Sequence, residues 1–75
     1  MLDTTRKIES ARWEAQQIFA EGMARKLPII ISYMAVKGMM KTFDLPIPED
    51  ILTWTYGPKY SDRQITDPLA VYGGE

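Results

Sequence analysis

Between Asp3 and Lys26 the apolar residues return at helical spacing. At 100° per residue Ile8, Ala11, Trp13, Ala15, Ile18, Phe19, Ala20, Met23 and Ala24 fill an arc of about 240°. Lys7, Ser10, Glu14, Gln17, Glu21 and Arg25 occupy the remainder. Asp3 or Thr4 is the expected cap of this first helix, and Glu21–Arg25 has the spacing of an i,i+4 pair. So broad an apolar arc exceeds what one neighbouring helix covers. Either the helix is wrapped on two sides, with Trp13 and Phe19 as core rings, or part of the arc meets another molecule.

Pro28 interrupts the pattern, because proline removes a backbone donor and biases the preceding residue away from helix. A second helix is expected from Ile29 to Phe43, with Ile29, Tyr33, Val36, Met39, Met40 and Phe43 on one face and Lys37 and Lys41 on another. The run Ile29-Ile30-Ile31 also suits a strand, but the chain offers it no partner strand. Asp44-Leu45-Pro46-Ile47-Pro48 is a rigid turn. A third, short helix is predicted from Pro48 to Tyr56, with Glu49 and Asp50 at its positive end and a stop at Gly57-Pro58. Ser61-x-x-Gln64 has capping-box spacing, and Asp67-Pro68 resembles another short start. These elements predict a single all-α domain over residues 1–75: a small bundle of three to four helices, two long and one or two short. Residues 58–75 form a loop-rich C-terminal segment, an extended or short-helical arm.

Size and composition sharpen this picture. A 75-residue chain without cysteine has neither disulfides nor a large core to hold it. Efficient helix packing or a partner, including a second copy, must supply the balance. The apolar stretch Leu27–Met40 contains Pro28 and Lys37 and is too short for a membrane helix, and residues 1–6 lack a signal-peptide pattern. A cytoplasmic location is the expectation. Charge is uneven: residues 1–41 carry +3 and residues 42–75 carry −4, which predicts mutual attraction of the two halves or two faces for two partners.

The chemistry-bearing residues are few. The chain has no histidine and no cysteine, so the commonest general base, the most reactive nucleophile and the usual zinc ligands are missing. No spacing matches a calcium loop, a dinucleotide-binding turn or a phosphate loop. Neither a cofactor nor catalysis is expected. Trp54, Tyr56, Tyr60 and Tyr72 concentrate near turns in the acidic half, and such aromatics dominate protein-binding surfaces. They are the candidate protein-binding residues. Arg6, Lys7, Arg12, Arg25 and Lys26 are the candidate phosphate contacts of an alternative reading, a small helix-turn-helix-like nucleic-acid-binding protein. Its reading helix would be Pro48–Tyr56, which offers no Arg, Lys, Asn or Gln to a base edge. The expected function is therefore a non-enzymatic adaptor or regulator docking on a larger protein. A viral accessory protein on host machinery such as RNA polymerase, or a minor structural component of a virus particle, fits that description by size alone.

Overall fold

A computed structural model describes the backbone of residues 2–71 and the side chains from residue 4 onward. Among the described residues three helices follow one another, α1 (Leu2–Ala24), α2 (Ile29–Thr42) and α3 (Ile51–Tyr56), with one 3₁₀ turn at Asp62–Gln64. The small all-α fold read from the pattern is the observed one. The triple-isoleucine run opens α2 and is helical. α1 and α2 fold back on each other as a hairpin, and α3 lies against α1. The molecule is elongated along this hairpin, with extents of 41 × 22 × 16 Å.

Each helix contributes to one core. Ala11, Ala15 and Phe19 come from α1, Ile29, Val36 and Met40 from α2, and Ile51 and Leu52 from α3. Small alanines on α1 let α2 approach, and Gly22 takes this furthest: a Cβ there would collide with the Ser32 hydroxyl. Phe19 is buried and meets the Tyr33 ring edge-on, with centroids 5.5 Å apart. Trp13 corrects the expectation of a second core ring on α1: it is 60% exposed. Its helical position points away from the strip that α2 and α3 cover.

The helix ends deviate from prediction by a few residues, for identifiable reasons. α1 already includes Asp3 and Thr4, so neither is its cap. At its C-terminus Lys26 adopts a left-handed conformation (φ 56°). The Lys26 and Leu27 amides donate back to the Met23 and Gly22 carbonyls, a Schellman closure. α2 repeats the device. Asp44 (φ 58°) takes the left-handed position, and the Asp44 and Leu45 amides donate to the Lys41 and Met40 carbonyls. Each closure is followed by Leu-Pro, Leu27-Pro28 and Leu45-Pro46, so both long helices end by the same local rule.

The start of α2 has no side-chain cap, because Pro28 stands there. Carbonyls of the C-terminal arm take over. The Ile29 amide donates to the Ala70 carbonyl (3.1 Å) and the Ile30 amide to the Pro68 carbonyl (3.0 Å). An isolated antiparallel bridge joins Pro28 to Val71. The Asp67-Pro68 start is a tight turn rather than a helix, with the Leu69 amide donating to the Asp67 carboxylate. Residues 58–71 thus form a docked arm of turns. The opposite charges of the two halves do not attract as ion pairs: among the described residues the salt bridge is Arg25–Glu21, an exposed pair within the first half.

Candidate protein-binding surface

The short helix α3 is where sequence-distant side chains converge. Its predicted start at Pro48 is corrected to Ile51, because residues 45–50 run without helical hydrogen bonding and Asp50 is the cap. The Asp50 carboxylate accepts from the Thr53 amide (3.0 Å), the Ser61 hydroxyl (2.6 Å) and the Asp62 amide (2.9 Å). These bonds, the Ser61 hydroxyl foremost, hold the Asp50 carboxyl down at about 2. Asp62 completes the cap from the 3₁₀ turn. Its carboxylate accepts from the Ile51 and Leu52 amides, each at 3.0 Å, and from the Tyr33 hydroxyl at 2.8 Å. The Ser61–Gln64 capping box is present at the turn itself.

The other end of α3 is closed by α1. Arg12 donates to the Trp54 carbonyl (2.9 Å), and Gln16 donates to the Thr55 carbonyl (3.1 Å). The Arg12 guanidinium also lies over the Trp54 ring, 5.5 Å from its centroid. Arg12 is therefore a structural clamp on the end of α3. Arg6 and Lys7 are exposed near one end of α1, and Arg25 and Lys26 are exposed past the other. At the helical rise these two pairs are about 28 Å apart, so they form no single basic patch. The α3 amides that a phosphate would seek are already occupied by Asp50 and Asp62.

The four candidate aromatics divide. Trp54 is half-buried and packs against the core. One wall of an apolar cleft of 220 Å³ is its ring, together with Ile8, Met40 and the Leu45–Pro48 segment. Tyr56 and Tyr60 are brought together, ring centroids 5.6 Å apart, and Tyr56 also reaches Phe19 at 6.1 Å. Both tyrosines keep exposed surface, 39% and 45%. Tyr72 lies outside the described residues.

A further exposed surface lies on α1, on the part of the apolar arc that α2 and α3 leave uncovered. Trp13, Ala20 and Ala24 are exposed and stand within about 40° of one another, roughly 160° from the centre of the buried strip. Met23, 39% exposed, borders them on the α3 side. The signal was in the neighbours of Trp13: Glu9, Ser10, Gln16 and Gln17 stand at i−4, i−3, i+3 and i+4 from it. Four polar neighbours favour solvent over core.

The fold and this surface define a class, a small all-α domain with a rigid helix whose apolar arc is covered on one side. No family model matches the chain, and no curated protein or solved structure is significantly similar to it. Among the described residues no helix is long and apolar enough to cross a membrane.

Proposed function

We propose that the chain is a non-enzymatic adaptor or regulator that docks on a larger protein through the outward arc of α1. One observation carries this reading. α1 has apolar residues on most of its circumference; Ala11, Ala15, Phe19 and Gly22 are buried and Ile8 and Ile18 are half-buried, while Trp13, Ala20, Met23 and Ala24 are left exposed. A tryptophan held in water on a rigid helix gives a partner a large apolar area at little cost in ordering. The missing histidine and cysteine favour binding over catalysis. The nucleic-acid alternative is weakened by a third helix of only six residues, with carboxylates at the end a phosphate would approach.

Immobilised protein and its Trp13→Ala variant, incubated with nuclease-treated lysate of the native host, test the reading. The wild type retains a specific protein and Trp13→Ala does not. Both chains melt within a few degrees of each other, because truncations at exposed sites stay within about 0.5 kcal/mol. Equal retention by the two sinks the proposal.

A further inference from the structure

The exposed Trp13 does not stand on a bare apolar face. It is one wall of an open cavity of 420 Å³ whose other walls are Glu9, Ser10, Glu14 and Phe43. No basic side chain lines this cavity. Neither Glu9 nor Glu14 is in an ion pair among the described residues. The nearest guanidinium in sequence, Arg12, is turned the other way and held by Trp54. The chain thus gives one tryptophan an internal cation and leaves the other beside two free carboxylates.

An indole face attracts a cation through its quadrupole, and two flanking carboxylates add direct charge attraction. We propose that this cavity receives a lysine or arginine side chain from a basic segment of the docked partner. The assignment rests on the docking reading and names the chemistry of its occupant. Phe43 gives the aliphatic stem of such a side chain an apolar wall, and the carboxylates take its head. Both charged groups stay partly in water, so the contact weakens as salt rises.

Hexa-arginine serves as the probe, with hexa-glutamate as its control. Trp54→Phe leaves Trp13 as the sole indole reporter, and calorimetric titration of the unaltered chain gives a second readout that needs no substitution. Hexa-arginine is expected to change Trp13 emission saturably. Glu9→Gln/Glu14→Gln is expected to raise the Kd by roughly fivefold or more, as befits loss of a contact worth about 1 kcal/mol. Asp44→Asn/Glu49→Gln, which removes the same net charge elsewhere, is expected to leave it nearly unchanged. Equal weakening by both pairs, equal binding of hexa-glutamate, or no binding at all overturns the proposal. Self-association abolished by Glu9→Gln/Glu14→Gln also overturns it, by putting a second copy's lysines in the cavity. If the lysate partner is lost from Trp13→Ala yet kept by Glu9→Gln/Glu14→Gln, docking stands and the cation assignment falls. If Trp13→Ala keeps the partner, docking itself fails.

Discussion

Lys26 and Asp44 end the two long helices in left-handed conformations that glycine adopts freely and other residues hold at about 1–2 kcal/mol. The sequence signals each stop only through the Leu-Pro that follows, since nothing about lysine announces a positive φ. Glycine at 26 relieves the Cβ crowding but adds freedom to the unfolded chain, which offsets part of the gain. Lys26→Gly is therefore expected to raise stability by about 0.5–1 kcal/mol, read from the urea midpoint at constant m-value. Asp44→Gly should gain less, because aspartate tolerates this region better. A lowered midpoint for Lys26→Gly contradicts this account of the closure. Trp13 shows the other limit of reading single residues. Periodicity gave the width of the apolar arc but not how many elements cover it, and that number decides which ring is dry.

At six residues α3 is too short to form alone, so its existence depends on groups that lie elsewhere in the chain. Sequence reading found the local part: acidic residues at its start, Gly57-Pro58 at its end and the capping box at Ser61. It missed Asp62, Tyr33, Arg12 and Gln16, because no local pattern marks a carboxylate 10 residues ahead or a guanidinium 42 residues behind as a helix cap. The depressed Asp50 carboxyl yields a pH prediction with a definite sign. Folded Asp50 stays ionised down to about 2, whereas the unfolded chain takes up that proton near 3.8. Between those values the unfolded state binds more protons, so stability is fully present above the upper value and drains away as pH falls toward the lower. Thermal melts from pH 5 to pH 2 should show a fall in Tm that is shallower in Asp50→Asn. An identical slope in both chains would place the acid sensitivity elsewhere.

Taken whole, the molecule is a helical hairpin braced on one side by α3 and finished by an arm. The two long helices, the short third one and the turn-rich tail were legible because periodicity and proline punctuation are local. The arm's role was not, because nothing in Pro68 or Ala70 says that their carbonyls will meet the amides of Ile29 and Ile30. Truncation after Thr66 should lower stability by about 1–2 kcal/mol, the range for losing a helix cap whose donors then turn to water. Amide exchange at Ile29 and Ile30 should accelerate more than exchange at Val36. Uniform acceleration along α2, or none, would argue that the arm only rests there.

That arrangement also orders events in time. The opening turn of α2 waits for partners made some forty residues later, so a nascent chain still holding residue 70 inside the ribosome carries an unfinished helix at its centre. The hairpin can collapse during synthesis, but its last seam closes only when the tail emerges, and a chain stalled before that point presents a frayed target to proteases.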